Sequence, residues 1–137
     1  MIVIDTSALA AIFFAEPERK VFSDIVQAAD RVLVSTPTVL ETRMVVRGRR
    51  GERAVVMVDD LLNLPKFEWV APDHSITDAA YAAFVAYGRG SGHPAALNFG
   101  DVFSYALAKV RGLPLLYKGE DFAQTDIVPA WRPADAC

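Results

Sequence analysis

Acidic residues stand next to the ends of predicted strands and helices, and these are the residues with which the chain could do chemistry. Asp5 ends the first predicted strand, Glu41 lies in the helix after the second, Asp101 begins the helix before the fourth, and Glu120 and Asp121 follow that fourth strand. Open α/β folds hold ligands at the carboxyl edge of the sheet, so we expect these carboxylates to lie together. Crowded carboxylates repel one another, so such a cluster is tolerated mainly when a cation neutralises it.

A site made only of oxygen ligands predicts Mg²⁺, with Mn²⁺ as the alternative. Mg²⁺ takes few protein carboxylates, keeps several waters and completes its shell with phosphate oxygens. A metal held in this way lowers the pKa of a bound water and stabilises charge on the leaving oxygen. The acids therefore indicate metal-dependent hydrolysis of a phosphodiester.

Each acid also has a structural explanation, and taken singly that explanation is the stronger one. Glu41 lies three residues after Thr38, which is the spacing of a capping box. Asp101 follows Asn98 at the same spacing, and Asp5 could cap the first helix. Asp5 is the least ordinary, because a carboxylate that ends a buried strand loses its hydration unless something binds it. The expected convergence of the acids on one edge favours the metal site.

The helix and strand around Asp101 form the clearest structural unit in the sequence. The predicted buried face of this helix comprises Phe103, Ala106, Leu107 and Val110. Gly112 then ends the helix, and residues 113–117 form an apolar run short enough for a buried strand. A helix that directly precedes a parallel strand runs back against it, so Asp101 is placed at the edge where the strands finish.

The rest of the chain alternates predicted strands with predicted helices. Strands are predicted at residues 2–4, 31–35, 67–70 and 113–117, with 127–129 as a candidate edge strand. Helices are predicted at 8–14, from 17 onward, at 37–48, 52–64 and 75–87, and at a short turn from 119; the 75–87 helix should bury Ile76, Ala80, Ala83, Phe84 and Tyr87. This alternation predicts a doubly wound, mostly parallel α/β sandwich with right-handed crossovers.

Composition narrows the class of protein. The 137 residues are 53% hydrophobic with a net charge of -3, which predicts one domain over residues 1–137 and gives no overall basic signal for nucleic acid. The single cysteine, Cys137, has no partner for an internal disulfide and suits a reducing cytoplasm. The longest apolar run, residues 8–15, is far shorter than the ~20 residues of a membrane span. We therefore expect a soluble cytoplasmic protein with no membrane partner.

Four motifs stand in order along the chain: Val-Ile-Asp-Thr-Ser-Ala-Leu at residues 3–9, Glu41 after its Thr-x-x spacing, Leu-Asn-Phe-Gly-Asp-Val-Phe-Ser-Tyr-Ala-Leu-Ala at 97–108, and Leu-Leu-Tyr-Lys-Gly-Glu-Asp-Phe at 115–122. Together they resemble the PIN domain, and most closely the VapC toxin family of toxin–antitoxin pairs. The resemblance covers essentially the whole chain. It implies a PIN-like three-layer α/β/α sandwich and a metal-dependent endoribonuclease. It also implies a homodimer that a cognate VapB-like antitoxin holds inactive and that cuts RNA when freed.

The resemblance also implies roles for individual residues. Asp5 and Asp101 match the principal Mg²⁺ ligands, and Glu41 matches the third acid, which binds metal directly or through water. Of Glu120 and Asp121, we prefer Asp121 as the fourth acid, because the family's acid usually stands just before an aromatic residue. Thr6 and Ser7 match hydroxyl positions around Asp5, and Asn98 matches a polar position near Asp101.

Several basic and aromatic residues lie outside these motifs. Arg43, Arg47 and Arg50 form a stripe that points away from Glu41, because Arg43 lies roughly 200° around the helix from it. That stripe predicts a solvated face or a dimer or antitoxin surface. Arg89 and His93 are candidates for contact with an RNA backbone, against the alternative of solvated loop charges. Trp69 and Trp131 are predicted to pack, and His74 to lie on the surface.

A second class of function is a non-catalytic regulatory domain that binds a metal or a partner. Receiver-like proteins also carry acids at strand ends and a Mg²⁺ site without cutting anything. They need a phospho-acceptor aspartate at the end of the third strand, where Val70-Ala71-Pro72-Asp73 is a poor match. The ribonuclease is therefore the preferred hypothesis.

Overall fold

Four short strands form the centre of the computed structural model, which describes residues 1–133. They are β1 (Ile2–Ile4), β2 (Val32–Ser35), β3 (Phe67–Val70) and β4 (Leu115–Leu116), in the order β3-β2-β1-β4. Each neighbouring pair is parallel, so the predicted parallel sheet is confirmed. Cys137, on which the expectation of a reducing compartment rests, lies outside the described residues.

Within the described part of the chain, six α-helices cover the two faces of this sheet. They are α1 (Thr6–Phe13), α2 (Arg19–Ala28), α3 (Thr36–Arg50), α4 (Glu52–Leu62), α5 (His74–Tyr87) and α6 (Phe99–Arg111), followed by the 3₁₀ turn η1 (Phe122–Gln124). One buried cluster joins the sheet to α5 and α6, and a second joins it to α1 through α4. The predicted three-layer α/β/α sandwich is confirmed.

Strand β1 is buried on both faces, which explains why its sequence is a continuous apolar run. Val3 packs on the side of α5 and α6, whereas Ile2 and Ile4 pack on the side of α1 to α4. Asp5 directly follows the strand, and its N–H donates to the carbonyl of Leu116. This pairing fixes Asp5 beside the end of β4.

Helix α6 lies deeper in the fold than its predicted face implied. Leu107 is buried as predicted, but Val110 is 41% exposed. Apart from the half-buried Phe103, residues 102–108 are all buried, because α6 contacts α3, α5 and three strands instead of packing by one face. Gly112 ends the helix with a φ of 64°, as predicted.

The capping box that the spacing of Thr38 and Glu41 allowed does not form. Helix α3 starts after Ser35, which makes no side-chain cap. The Glu41 carboxylate instead accepts from Thr6, and the Thr38 hydroxyl shares a hydrogen bond with Ser104. Both side chains thus bind other elements of the fold instead of their own helix.

The segment that follows η1 runs beside β4 without forming a strand. Leu115 donates to the carbonyl of Val128 and accepts from the N–H of Ala130, and a single parallel bridge joins Leu115 to Pro129. Because proline has no N–H, the ladder cannot continue through it. The candidate edge strand at 127–129 is therefore reduced to one bridge.

Two further boundaries differ from prediction. Helix α2 begins at Arg19 instead of Pro17, because the chain first makes a turn in which Ala15 has a φ of 52°. On α5, Ile76 is buried as predicted but Phe84 is exposed. No helix within residues 1–133 is long and apolar enough to cross a membrane.

Candidate active site

Asp5 is the most buried of the predicted site acids, with only 3% of its surface exposed. Its Oδ2 caps α1 by accepting from the N–H of Ser7 at 3.0 Å and from the Ser7 hydroxyl at 2.8 Å. Its Oδ1 accepts from the Ser104 hydroxyl of α6 at 2.6 Å. The predicted cap is confirmed, and donors from two helices fix both oxygens of the carboxylate.

Glu41 reaches the same edge from the second turn of α3. Its Oε1 accepts a 2.6 Å hydrogen bond from the Thr6 hydroxyl, and Thr42 donates to that hydroxyl at 3.2 Å. The carboxylate lies so close to Gly100 of α6 that a Cβ at that position would overlap with it. Burial raises the pKa of Glu41, the Thr6 bond opposes the rise, and the negative charge of Asp5 adds to it.

Asp101 lies in the first turn of α6 and completes the capping box that its spacing predicted. Its Oδ2 accepts from the N–H of Asn98 at 3.0 Å, while its own N–H donates to Asn98 Oδ1 at 2.8 Å. Burial raises the pKa of Asp101 to about 7. The Asn98 bond opposes that rise, and the charges of Asp5, Asp121 and Glu41 add to it. The ionised form of Asp101 is therefore under-stabilised by its surroundings.

The loop after β4 brings one of its two acids into this group. Asp121 is exposed, and its charge is one of those that add to burial in raising the pKa of Asp101. Glu120 acts elsewhere: after burial, its charge contributes to the raised pKa of Tyr117. This difference agrees with the preference for Asp121 as fourth acid, whose catalytic role stays a prediction.

Three hydroxyl side chains that the sequence did not assign to the site belong to it: Ser104, Thr38 and Thr42. Ser104 is fully buried and lies 3.1 Å from the Thr38 hydroxyl, in addition to its bond to Asp5. Thr42 links Thr6 to the carbonyl of Thr38 at 2.8 Å. The sequence could have indicated Ser104, because it is a polar residue on the predicted buried face of α6. It could not have indicated the two threonines, since a threonine fits a helix cap or a core position equally well.

Within residues 1–133, no basic side chain forms an ion pair with any of the four acids Asp5, Glu41, Asp101 and Asp121. In the same residues, no group of three or more Asp, Glu, His or Cys side chains is arranged so that it could hold a metal by itself. The oxygen-only donor set nevertheless fits a hard cation, because Mg²⁺ needs only one or two protein carboxylates and keeps several waters.

Lys118 is joined to the site through its backbone only. Its N–H donates to the hydroxyl of Ser7 at 3.0 Å. Its ammonium group turns to the connection between α1 and α2, where Nζ lies 2.6 Å from Glu16 and 3.2 Å from Glu18. The positive charge of Lys118 is therefore engaged away from the four acids.

The arginine stripe of α3 is tied to the neighbouring helices. Nε of Arg43 lies 2.8 Å from Asp59, and Nε of Arg47 lies 2.8 Å from Glu52. The next arginine, at position 49, stacks its guanidinium 3.9 Å from the ring centre of Phe14. These contacts agree with the predicted orientation away from the acids.

The glycine-rich loop before α6 holds the two residues considered for contact with RNA. Arg89 is exposed, and its backbone N–H donates to Leu97. His93 packs edge-on against Tyr87 at 4.9 Å, and its Nδ1 accepts from the N–H of Ala95. The contact of this loop with RNA stays a prediction.

Comparison with known proteins finds similarity over nearly the whole chain. A family model described as PIN domain matches residues 2–128. Ribonuclease VapC30 of Mycobacterium tuberculosis is 46% identical over 131 residues, which cover 96% of this chain and 99% of the relative. The crystal structure of VapC20 from the same organism, described as a Sarcin-Ricin loop cleaving toxin, has a TM-score of 0.80 at 19% identity and covers 96% of this chain and 100% of that one. VapBC2 of Rickettsia felis, bound to a DNA fragment from its promoter, has a TM-score of 0.71 at 12% identity and covers 94% of this chain and 96% of that one.

Proposed function

This chain belongs to the PIN domain family, and on that basis we propose that it is the toxin of a VapBC-type pair, a single-domain endoribonuclease that hydrolyses RNA phosphodiester bonds in the cytoplasm. Its likeness over nearly the full length to a protein named as a ribonuclease supports this function. The observation that carries the proposal is the convergence of four carboxylates with no basic partner among residues 1–133. A fold that only needed these acids as helix caps would not gather their charges.

Mg²⁺ is the proposed cofactor, with Mn²⁺ as its substitute. Asp5 and Asp101 would bind it directly, and Glu41 and Asp121 would act directly or through water. When bound, the ion supplies activation of a water for attack and stabilisation of charge on the leaving oxygen. The raised pKa of Asp101 supports this assignment, because a nearby cation favours the ionised form that burial disfavours.

The protein's own side chains hold the acids in position. Ser7 and Ser104 fix the two oxygens of Asp5 without neutralising its charge, and Thr6 does the same for one oxygen of Glu41. A hydroxyl donor leaves the carboxylate anionic and leaves lone pairs for a ligand. The hydroxyl network therefore orients Asp5 and Glu41 and leaves them able to hold a cation.

A cognate VapB-like antitoxin is the proposed inhibitor. A segment that placed an arginine or lysine among the acids would replace the metal by a side-chain cation. The test is a structure of the toxin with its partner, in which we expect a basic side chain within hydrogen-bond distance of Asp5 or Asp101. A partner that bound only away from these two acids would contradict this mode of inhibition.

A homodimer is the proposed assembly of the free toxin. Tyr81 and Phe84 of α5 and Phe99 of α6 are large exposed apolar side chains, and Phe99 is 79% exposed. Exposed aromatic residues grouped on neighbouring helices are typical of a protein interface.

Light scattering should give twice the chain mass for the wild type and a lower mass for Phe99→Ser. Val128→Ser, at another exposed apolar position, should leave the mass unchanged.

Cleavage of total cellular RNA by the purified protein tests the proposed activity. Wild-type protein with Mg²⁺ should give discrete fragments, whose sequenced ends identify the target. EDTA or Asp5→Asn should abolish them, whereas Asp60→Asn, an exposed acid of α4, should not. If the folded, metal-loaded wild type gives no fragments, the acids serve a binding or regulatory role instead.

A further inference from the structure

A cavity of about 370 Å³ lies beside the loop that carries the fourth acid. Its walls come from that loop, from η1 and from the chain segment after residue 128, and the side chains that matter here are Tyr117, Glu120, Ala123, Trp131 and Arg132. Its volume falls in the range of about 300–1,000 Å³ that is usual for sites of small organic groups. The cavity is distinct from the carboxylate cluster but adjoins it.

The aromatic walls of the cavity are anchored in the core. Tyr117 is buried, and its ring contacts that of Phe122 with 5.2 Å between centres. The ring of Trp131 packs edge-on against Phe22 of α2 at 5.3 Å. This confirms the predicted packing of Trp131, which also leaves the ring lining the cavity. Two aromatic rings held rigidly at one cavity are the platform on which a flat heterocycle stacks.

Charges of opposite sign stand at the same cavity. Glu120 and Arg132 both line it. After burial, which raises the pKa of Tyr117, the charge of Arg132 lowers that pKa and the charge of Glu120 raises it. A ligand that has both hydrogen-bond donors and acceptors on its edge matches this pair of charges, whereas an aliphatic ligand does not.

The loop that lines the cavity also carries the fourth acid of the proposed cleavage site. Gly119 and Glu120 line it, and the next residue is Asp121, whose Cα lies roughly 3.8 Å further along the chain. Asp121 is the acid whose charge reaches Asp101. One loop therefore connects the cavity to the acid cluster.

We propose that this cavity is a nucleobase subsite that takes one unpaired base of the RNA beside the scissile phosphate. The base stacks between Tyr117 and Trp131, with Glu120 and Arg132 at its edge. Recognition of splayed, unpaired bases by stacking and edge hydrogen bonds is the usual way in which proteins read RNA sequence. The proposal rests on the proposed ribonuclease function and deepens it by placing part of the sequence preference in this cavity.

The first test measures binding of a base without cleavage. In Trp69→Phe protein with EDTA, Trp131 is the only tryptophan, and its fluorescence reports stacking. Guanosine monophosphate is the probe, because guanine offers donors to a carboxylate and acceptors to a guanidinium. Quenching by this nucleotide and not by ribose 5-phosphate is expected. No quenching, or equal quenching by both, would overturn the proposal.

A filled cavity provides the matched comparison. Ala123 is exposed and lines the cavity, so Ala123→Leu should fill it without disturbing the core. Gln124 is its exposed neighbour on η1 and does not line the cavity, so Gln124→Leu is the control. Binding of the nucleotide should weaken about tenfold or more in Ala123→Leu, the scale of one lost base stack. It should be unchanged in Gln124→Leu, and equal thermal unfolding of the two variants excludes a folding defect.

Cleavage assays separate this inference from the function on which it rests. With Mg²⁺, Ala123→Leu should cut the target RNA with a raised KM or at altered sites, while its stabilisation by Mg²⁺ stays that of the wild type. Wild-type cleavage without nucleotide binding would overturn the subsite and leave the ribonuclease intact. Nucleotide binding without any cleavage would leave the cavity as a base site and remove the ribonuclease.

Discussion

The two ends of α6 place aspartates in opposite electrostatic situations. At the N-terminal end, burial and three neighbouring carboxylates raise the pKa of Asp101 to about 7 against its Asn98 bond. Near the other end, Asp126 accepts from Lys109 at 2.7 Å and from Tyr105, and these bonds lower its pKa. The fold thus places the ammonium group of Lys109 beside Asp126, an acid with no predicted role in the site. Among the described residues it supplies no cation to Asp101, which marks that end as prepared for a ligand.

The hydrogen-bond partners of the aspartates at the two ends of α6 also differ in charge. Asp126 is met by an ammonium group, which removes its charge from the local field. Asp5, beside Asp101, is met by the hydroxyls of Ser7 and Ser104, which fix its direction but leave its charge in place. Carboxylates that bind a metal are themselves hydrogen-bonded by the surrounding protein, and a hydroxyl can do this without adding a positive charge. The contrast predicts that equivalent substitutions at the two ends have unrelated consequences.

Replacing each aspartate by asparagine gives the largest expected difference. Asp101→Asn should lower RNA cleavage on the order of 1,000-fold, which corresponds to about 4 kcal/mol of transition-state stabilisation, because it removes a charge that would bind the metal. Asp126→Asn should leave cleavage within about twofold but lower the free energy of unfolding by about 1 kcal/mol, since its ion pair is half exposed. Single-turnover cleavage and urea unfolding measure the two quantities.

The two variants control for each other. Asp101→Asn should not unfold the protein, because asparagine keeps an oxygen that can accept from Asn98. Equal losses of activity in both variants would contradict the assignment of function to one end of the helix. So would a loss of activity in Asp101→Asn that only followed a loss of folded protein.

Ser104→Ala tests whether the hydroxyl network positions Asp5. The substitution removes the 2.6 Å donor to Asp5 Oδ1 while the carboxylate keeps its Ser7 bonds. We expect a loss of about 10–100-fold in activity, the scale of removing a group that orients a metal ligand. The Mg²⁺ concentration for half-maximal cleavage should rise as well. Ser75→Ala, at an exposed position of α5, is the control. A lower activity with unchanged Mg²⁺ dependence would contradict the positioning role.

The backbone of this site was predictable from the sequence. Asp5 and Asp101 were placed correctly because strand ends in a parallel sheet meet at one edge, and the apolar run before Asp5 and the Gly112 stop after α6 are local signals. The capping spacing of Asn98 and Asp101 is equally local, and it was confirmed.

The side-chain network was not predictable, because its bonds cross between distant parts of the chain. Ser104 and Asp5 are separated by 99 residues, and Thr38 and Ser104 by 66. The spacing of apolar residues predicts which side chains share one face of a helix. It does not predict which other elements of the fold that face contacts. For the same reason the spacing of Thr38 and Glu41 allowed a cap that does not form, and Phe84 was placed on the apolar side of α5 although it is exposed.

The pH dependence of stability should have opposite signs for the two aspartates. The pKa of Asp101 is raised to about 7 in the folded protein from the reference value of 3.8. Between these two pH values the folded protein therefore binds more protons than the unfolded chain. Metal-free stability should therefore fall as pH rises through this window. The lowered pKa of Asp126 acts in reverse and adds stability that is lost as pH falls.

Thermal unfolding in EDTA across this pH range checks the two signs. Asp101→Asn should flatten the fall between pH 4 and 7 that the wild type shows, in line with the raised pKa. Asp126→Asn should lose stability at neutral pH and little in acid, because acid already protonates Asp126 itself and so removes its ion pair with Lys109. Added Mg²⁺ should raise the wild-type melting temperature more above the pKa of Asp101 than below it, since the metal needs the ionised form. An identical slope in wild type and Asp101→Asn would contradict the assignment.

The smallest expected effect concerns backbone strain at the two ends of α6. The chain takes a left-handed residue at both: Gly112 after the helix at a φ of 64°, and Ala96 before it at a φ of 48°. A non-glycine residue in this conformation raises the free energy of the folded state by about 1–2 kcal/mol. A glycine avoids this strain, but it also raises the conformational entropy of the unfolded chain, which offsets part of the stabilisation. Ala96→Gly should therefore stabilise the protein by about 0.5 kcal/mol, and Gly112→Ala should destabilise it by about 1 kcal/mol. If Ala96→Gly also lowers the cleavage rate, the strained residue is needed to set the first turn that carries Asp101; if cleavage is unchanged, the strain has no part in the site.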